Sequence, residues 1–450
     1  MTVKFLEVLQ MAESEGLRFN WSEKHKKYMK RTQTCNYNIA EGSIRSGKTT
    51  DNVYVFCYWL KRSKDKLHIA TASTQATAKL ILGDGDGRGI EHIFRGQSRW
   101  GKYKGNDALI VKGPATKNQE KIILFVGAGK SDSFKKIRGT TIGLWIATEI
   151  NLHHETMIRE VLKRQVNATP KKLFWDLNPE SPGDYIYTEY IDKWQKDANQ
   201  GIFIGGYNYQ QFNIDDNINL SPQNIAEFKS RYTPGTVFYK RDILGLRAVA
   251  EGLVYEEYAN NEDKFIIDNP ENDIILITVG IDYGASKSRS SFKAVGITKN
   301  YNNVIVLEEK DMSSTKTPEQ VYKEFEVFLR KIKNVYGRVD YAFADWGGLG
   351  EIITNGIRNY CAKNNLMVKI QNCKKGVILD RIQLAAQLMA QRRLKVSKNC
   401  PNMHKAFLSA VWDKKKEDER LDNGTSDVDS LDAFEYAIYP FKEYLIKRRN

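Results

Sequence analysis

The stretch Gly42-Ser43-Ile44-Arg45-Ser46-Gly47-Lys48-Thr49 matches the pattern G-x-x-x-x-G-K-[ST] at every fixed position. Glycines at both ends allow such a loop to wrap its backbone N–H groups around the phosphates of a nucleotide. We expect Lys48 to reach the β- and γ-phosphates and the Thr49 hydroxyl to bind Mg²⁺. The octapeptide therefore predicts a site for ATP and its magnesium ion.

The residues on both sides of this loop support the prediction. Tyr37-Asn38-Ile39-Ala40 predicts a short strand that enters the loop, and residues 50–61 predict a helix that leaves it. The N-terminus of such a helix adds its dipole to phosphate binding. Because strand, loop and helix agree with the motif, we interpret the match as a nucleotide site and not as a surface turn.

Length and composition set the broad class of the protein. The chain has 450 residues, enough for two or three domains, and 41% hydrophobic residues supply full-sized cores. No segment approaches the length of a membrane span, and charges in the first seven residues come too early for a signal peptide. The five cysteines are scattered without a C-x-x-C pair, so we expect buried free thiols in a reducing cytoplasm and no zinc site.

The charge balance points to a polyanionic partner. The net charge is +14, from 69 basic and 55 acidic residues. DNA or RNA is the first candidate for a chain this basic. Each basic cluster taken alone is more often a solvated face than a binding patch, so the total charge is the better indicator of nucleic-acid binding.

The first half of the chain alternates strand-like and helix-like segments. Strands are predicted at 67–71, 121–126, 143–147 and 172–175, with helices at 74–82 and 154–165. This order predicts an α/β domain with a mainly parallel sheet over residues 1–205. From 206 to 270 the pattern weakens and turn signals accumulate, which indicates a linker or bridging segment.

A second alternating unit follows over residues 271–450. Three strands are predicted at 275–283, 294–298 and 304–309, and then a helix, strand, helix and strand at 318–333, 339–345, 351–363 and 368–370. Three antiparallel strands followed by this alternation are the order of an RNase H-like domain with a mixed sheet.

Acidic residues fall at the ends of these predicted elements. Asp282 and Asp345 each close an apolar strand, while Asp429 and Asp432 share one face of a predicted C-terminal helix. Each aspartate alone is more simply a turn or helix-cap residue, but their placement on the expected elements of one fold favours a shared site. Such carboxylates can hold two divalent metals about 4 Å apart, which clamp a phosphodiester during in-line displacement. Oxygen ligands favour Mg²⁺ or Mn²⁺, so the pattern predicts a two-metal nuclease site.

A P-loop ATPase domain followed by an RNase H-like nuclease domain on a basic chain resembles the large terminase subunit of tailed bacteriophages. Residues 133–139 ahead of Leu144-Trp145-Ile146-Ala147-Thr148-Glu149 are similar to the approach to the family's Walker B segment. Asp176-Leu177-Asn178-Pro179 resembles its coupling motif. Asp282-Tyr283-Gly284, Ala344-Asp345 and residues 429–437 resemble its three nuclease segments, so the resemblance covers nearly the whole chain.

The resemblance implies roles for individual ATPase residues. Glu149 would orient the attacking water, and Asn178 would sense the γ-phosphate, although an ordinary Asn-Pro turn fits Asn178 equally well. Thr148 departs from the family pattern, which usually has aspartate there. Mg²⁺ would then rest on Thr49, phosphate oxygens and water.

The family also implies an arginine finger that stabilises the transition state. Arg45, inside the loop, would act in cis, whereas Arg138 would act from a neighbouring subunit. The sequence does not choose between these two arginines.

The implied function is a viral packaging motor, in which ATP hydrolysis moves double-stranded DNA into a procapsid and a metal-dependent endonuclease cuts concatemeric DNA. The implied partners are double-stranded DNA, the small terminase subunit, the portal protein and further copies in a ring, in the host cytoplasm and away from membranes. One alternative is a helicase or repair ATPase fused to a nuclease, but no strand-separation motif lies within 206–269. The other is a non-catalytic DNA-binding assembly protein. A GTPase is disfavoured because no N-K-x-D motif is present.

Overall fold

The computed structural model describes residues 19–270, 273–283, 290–312, 317–346, 349–416, 418–422 and 427–447. The N-terminal residues used above to exclude a signal peptide lie outside this set, as does Gly284 of the first nuclease segment. The chain forms two compact units. The first comprises the described residues of Met1–Ala226 with Tyr239–Ala248, and the second those of Glu227–Phe238 and Val249–Asn450.

The first unit is built on one largely parallel sheet. Its strands are β1 (Tyr37–Gly42), β2 (Leu67–Ala72), β3 (Ser98–Tyr103), β4 (Asn106–Val111), β5 (Lys121–Gly127), β6 (Leu144–Ala147), β7 (Lys172–Leu177) and β8 (Tyr207–Phe212). Their order is β3-β4-β5-β2-β6-β7-β1-β8, with antiparallel pairing only for β3 with β4 and β4 with β5 among the described strands. The predicted α/β order and the five predicted strands of this half are confirmed.

Helices cover both faces of this sheet because its strands are apolar on both sides. They are α1 (Glu23–Arg31), α2 (Lys48–Leu60), α3 (Gln75–Ala78), α4 (Ile90–Ile93), α5 (Glu155–Arg164) and α6 (Asp192–Asn199). Successive residues of β7 show the alternation: Phe174 packs with Phe56 in one core, and Trp175 packs with Trp145 in the other. These cores hold the carboxyl ends of the parallel strands β1, β6 and β7 at the same end of the sheet.

The segment 206–270, predicted as a linker, is instead divided between the two units. Tyr207–Phe212 forms β8 and pairs with β1 in parallel, and Tyr239–Ala248 also belongs to the first unit. The next helix, α7 (Pro222–Lys229), contains the point at which the chain passes from the first unit to the second. Strand β8 has the sequence Tyr-Asn-Tyr-Gln-Gln-Phe, in which half of the residues are polar. It therefore lacks the apolar run by which the other strands of this sheet were predicted.

The second unit contains a mixed sheet. Its strands are β9 (Ile266–Ile267), β10 (Ile274–Asp282), β11 (Ser290–Thr298), β12 (Val304–Met312), β13 (Tyr341–Ala344), β14 (Lys369–Asn372) and β15 (Leu394–Ser397). Their order is β14-β13-β10-β11-β12-β15-β9. The pairs among β10, β11 and β12 are antiparallel and the flanking pairs are parallel, as the predicted RNase H-like order requires.

The helices of the second unit are α8 (Glu256–Asn260), α9 (Pro318–Tyr336), α10 (Leu349–Lys363), α11 (Ile378–Ala390), α12 (Pro401–Ser409), α13 (Val428–Ile438) and α14 (Lys442–Ile446). Helix α13 packs directly on β10. The approach is so close that a Cβ added at Gly280 would lie 1.7 Å from the Ala433 carbonyl oxygen. The glycine therefore permits the close approach that brings the C-terminal aspartates to Asp282.

All five cysteines are buried and free of disulfides, as predicted. Within the described ranges, every helix is too short or too polar to cross a membrane.

Candidate active sites

The loop between β1 and α2 has the geometry of a phosphate-binding loop. Gly47 has φ +95°, and a Cβ there would lie 3.2 Å from Cε1 of His25, so the position favours glycine. The hydroxyls of Ser43 and Ser46 are buried without a hydrogen-bond partner among the described residues. Buried polar groups are normally paired, so these hydroxyls fit a loop that completes its hydrogen bonds with a ligand.

Lys48 is buried at the start of α2 and contacts a residue from a different strand. Its Nζ donates hydrogen bonds to the Ser43 carbonyl oxygen at 3.0 Å and to Oδ1 of Asn178 at 2.8 Å. Burial lowers the pKa of Lys48, while the negative charges of Asp176 and Glu149 oppose that shift. The structure thus brings together two residues that are 130 positions apart and were both predicted to face the nucleotide.

Glu149 follows the end of β6 in an unusual backbone conformation. Its φ of 51° and ψ of 54° are left-handed, which costs a non-glycine residue about 1–3 kcal/mol and often marks a functional position. The Glu149 carbonyl oxygen accepts hydrogen bonds from the Leu152 N–H at 2.9 Å and from Nδ1 of His153 at 3.2 Å. Its carboxylate is partly exposed and makes no ion pair with any described residue. The strained turn therefore holds an unpaired carboxylate at the edge that carries the loop.

Asp176, at the end of β7, was quoted in the sequence only as part of a motif and was not predicted as a site residue. It is 1% exposed, and its Oδ1 accepts hydrogen bonds from Oγ1 of Thr148 at 2.9 Å and from the Glu149 N–H at 3.3 Å. Burial raises the pKa of Asp176 to about 6, against the opposing charge of Lys48. An acid after the apolar run 172–175 is the same signal that identified Asp282, so the sequence did contain a clue.

The two candidate arginine fingers are both exposed. Arg45 has φ 63°, and its carbonyl oxygen accepts a hydrogen bond from Nδ2 of Asn217 at 2.7 Å. The Arg138 guanidinium lies 5.8 Å from the ring centroid of Phe134. Neither arginine forms an ion pair with a described residue, so both are available to a nucleotide or a neighbouring chain.

The four aspartates predicted to bind metals converge at one end of the second sheet. Ile281 pairs with Ala344 in parallel, which places the next residues, Asp282 and Asp345, side by side. Helix α13 brings its acidic face to the same place. Burial raises the pKa of Asp282 well above its usual range, and the charges of Asp432, Asp429 and Asp345 raise it further. The charges of the other three predicted aspartates therefore all act on the buried carboxylate of Asp282.

Protein cations are paired with two of these carboxylates. Nζ of Lys375 lies 2.5 Å from Oδ1 of Asp345. Oδ1 of Asp432 accepts hydrogen bonds from Arg381 at 2.9 Å and from Arg420 at 2.6 Å. Both arginines also pair with Glu435, which is fully buried. These arginines and Glu435 were not predicted as site residues, because nothing local links α11 or the segment around 420 to α13.

The donor set suits divalent cations, although its carboxylates are not gathered tightly. Within the described part of the chain, no three of the four aspartates bring oxygens within 4.8 Å of one another. A separate group of Asp84, Glu91 and His92 does so, but Nε2 of His92 already lies within 3.2 Å of both acids. The fit at the predicted nuclease site rests on its chemistry: three carboxylates surround the buried Asp282, and divalent cations would relieve their mutual repulsion.

These sites and sheets define a class of protein: a P-loop ATPase fold joined to an RNase H-like nuclease fold. Residues 39–257 match the family model described as "Terminase large subunit, T4likevirus-type, N-terminal". No match was found among curated protein sequences.

Solved structures extend the similarity over nearly the whole chain. The large terminase of a thermophilic bacteriophage is 20% identical with a TM-score of 0.73, covering 93% of this chain and 98% of that one. Its complex with ADP gives 19% identity, a TM-score of 0.72 and coverages of 92% and 98%. Its complex with ATP-gamma-S gives 19% identity and a TM-score of 0.71, and the match covers 93% of this chain and 100% of that one. The chain thus matches the large terminase family by sequence over residues 39–257 and shares the fold of a solved large terminase over nearly its whole length.

Proposed function

We propose that this chain is a DNA-packaging motor that hydrolyses ATP to drive double-stranded DNA into a procapsid and cuts concatemeric DNA with a two-metal nuclease. The observation that carries the proposal is the presence, in one chain, of two separate sites. One is a P-loop whose lysine contacts Asn178, and the other is a set of four aspartates in the second unit. The similar large terminase of the thermophilic bacteriophage was solved with ADP and with ATP-gamma-S, which supports a nucleotide ligand for the first site.

At the first site, the backbone of the loop and the Ser43 and Ser46 hydroxyls bind the phosphates. Lys48 supplies positive charge to the β- and γ-phosphates, and the Thr49 hydroxyl binds Mg²⁺. Glu149 orients water for attack on the γ-phosphate. Its carboxylate is suited to that role because it is partly exposed and no described cation holds it.

Asn178 connects the γ-phosphate to the rest of the unit. Its Oδ1 accepts a hydrogen bond from Lys48. Loss of the phosphate after hydrolysis therefore changes the partners of Lys48, and with them its hydrogen bond to the end of β7. This contact supports a coupling role over an ordinary Asn-Pro turn. The arginine finger is Arg45 in cis or Arg138 from a neighbouring subunit.

At the second site, Asp282, Asp345 and Asp432 form the metal-binding core, with Asp429 as a fourth member. When bound, two Mg²⁺ or Mn²⁺ ions would activate the attacking water and stabilise the leaving oxygen. Arg381 and Arg420 hold one oxygen of Asp432 and fix its orientation. Asp282 sits deepest, so its charge depends most on bound cations.

The partners follow from this function. The motor acts on double-stranded DNA, is recruited with a small terminase subunit, and works on the portal of the procapsid in a ring of copies in the host cytoplasm. The excess of 14 positive charges supports binding to the DNA backbone.

The test uses the purified full-length chain. Supercoiled DNA is incubated with Mn²⁺ or with EDTA in the absence of nucleotide, and phosphate release from ATP is measured with and without DNA. We expect nicking with Mn²⁺ and none with EDTA. We expect phosphate release from ATP both with and without DNA. Absence of both activities would favour a non-catalytic assembly protein, and ATP-dependent strand separation would favour a helicase.

A further inference from the structure

The position between the end of strand β6 and Glu149 carries no acid. Thr148 occupies it, and its side chain is 2% exposed. A hydroxyl carries no charge, so Thr148 cannot replace the electrostatic attraction of a carboxylate for the water shell of Mg²⁺. The charge must come from another element if the site is to hold its metal firmly.

The neighbouring strand supplies a carboxylate close to this position. Ala147 of β6 pairs in parallel with Trp175, so the next residues, Thr148 and Asp176, adjoin each other. Oγ1 of Thr148 donates to Oδ1 of Asp176 at 2.9 Å. On its other side β7 pairs with β1, with Ala40 opposite Asp176. Asp176 therefore stands between the strand that leads to Glu149 and the strand that leads into the P-loop.

Only one oxygen of this carboxylate is satisfied. Oδ1 accepts from Thr148 and from the Glu149 N–H, whereas Oδ2 is buried without a hydrogen-bond partner among the described residues. Lys48 is close enough to affect Asp176 electrostatically, but its hydrogen bonds go to Ser43 and Asn178. Leaving a buried charged oxygen unpaired is costly, which indicates that a ligand completes its hydrogen bonding.

We propose that Asp176 is the acidic positioning residue for the nucleotide's Mg²⁺, accepting hydrogen bonds from metal-bound water through Oδ2 while Thr148 fixes its Oδ1. The carboxylate is thus supplied by β7, and the hydroxyl that follows β6 holds it in place. This proposal rests on the proposed ATPase function. It adds a residue to the metal's surroundings and leaves Thr49 as the direct ligand.

The test measures the affinity for ATP-gamma-S in Mg²⁺ and in EDTA, so that the contribution of the metal is separated from that of the phosphates. Asp176→Asn should change the affinity in EDTA by less than about twofold and reduce the Mg²⁺ enhancement about tenfold or more. Thr148→Asp combined with Asp176→Asn returns a carboxylate to β6 and should restore most of the enhancement. Thr148→Val should reduce it severalfold, and Thr148→Ser should leave it unchanged.

Thermal unfolding without nucleotide separates a structural role from a positioning role. A structural Asp176 would make Asp176→Asn less stable, whereas loss of an unpaired buried charge should leave the midpoint unchanged or raise it. An unaltered Mg²⁺ enhancement in Asp176→Asn overturns the assignment. If that variant does not fold, an unaltered enhancement in Thr148→Val overturns it instead. Failure of the wild-type chain to bind ATP-gamma-S in either condition would refute the ATPase function itself.

Discussion

Nζ of Lys48 lies 2.8 Å from Oδ1 of Asn178, which joins the first turn of α2 to the end of β7. The lysine belongs to the loop motif, and the asparagine belongs to a segment that resembles a coupling motif. Their contact means that the group predicted to bind the γ-phosphate is already hydrogen-bonded to the residue that follows β7, the strand beside β1.

Asn178→Ala tests this contact. The substitution removes the acceptor from Lys48, so we expect ATP binding to persist while the rate of hydrolysis falls by about tenfold, the scale of one hydrogen bond to a charged group. Steady-state phosphate release and nucleotide titration separate the two effects. Unchanged turnover would leave Asn178 as an ordinary turn residue.

Lys48→Ala and Glu149→Gln should fail at different steps. Loss of the buried lysine charge should abolish detectable nucleotide binding, whereas the glutamine variant should bind ATP and lose about 10²–10⁴-fold in turnover, because it no longer orients water as a carboxylate does. Equilibrium binding and phosphate release on both variants provide the comparison. Normal hydrolysis by Lys48→Ala would contradict the assignment of the motor site.

The nuclease should be separable from the ATPase. Asp282→Asn keeps the shape of the side chain but removes the charge that two cations need, so nicking of supercoiled DNA with Mn²⁺ should fall by at least about a hundredfold. ATP hydrolysis should continue, since Lys48 and Glu149 belong to the first unit. Asp429→Asn should have a milder effect. Intact nicking by Asp282→Asn would remove the nuclease assignment, and loss of both activities would indicate misfolding.

DNA binding should depend steeply on salt. If the +14 charge serves a duplex, log affinity should fall linearly with log salt, by about 0.9 per phosphate contacted, and two unrelated duplexes of equal length should bind alike. Fluorescence anisotropy at several salt concentrations measures both quantities. A shallow slope, or tight binding to one duplex only, would argue against tracking along DNA.

Acid should destabilise the first unit through His68. Nδ1 of His68 accepts from the Leu144 N–H at 3.0 Å, and burial, aided by the charge of Lys121, lowers its pKa to about 3. Below about pH 6.5 His68 binds a proton in the unfolded chain but stays neutral in the folded chain. The stability that comes from keeping His68 neutral is therefore fully present above pH 6.5 and is lost as the pH falls toward 3. At pH 5 the free energy of unfolding is lower by about 2 kcal/mol.

Urea unfolding of the wild type and of His68→Gln between pH 5 and pH 8 provides the measurement. The variant should be less stable at pH 8, and the difference should shrink as the pH falls. A difference that stays constant with pH would show that His68 titrates normally. His153, whose pKa is lowered to about 4 mainly by burial, should leave some pH dependence in the variant.

The sequence by itself determined the P-loop, the order of the two domains and the four aspartates, because each depends on local signals. A glycine-rich loop between strand and helix, and an acid closing an apolar run, can be recognised from neighbouring residues alone. The β3–β4 hairpin and edge strand β8 were not predicted, because their polar residues interrupt the apolar pattern.

Only the tertiary structure decided which distant residues meet. Parallel pairing of β6 with β7 sets Thr148 beside Asp176, and the close packing of α13 on Gly280 brings Asp432 to Asp282. The arginines at 381 and 420 reach Asp432 across 51 and 12 positions of chain. Strand register and helix packing depend on the fit of whole surfaces, which no local periodicity encodes, so these partners appear only once the chain has folded.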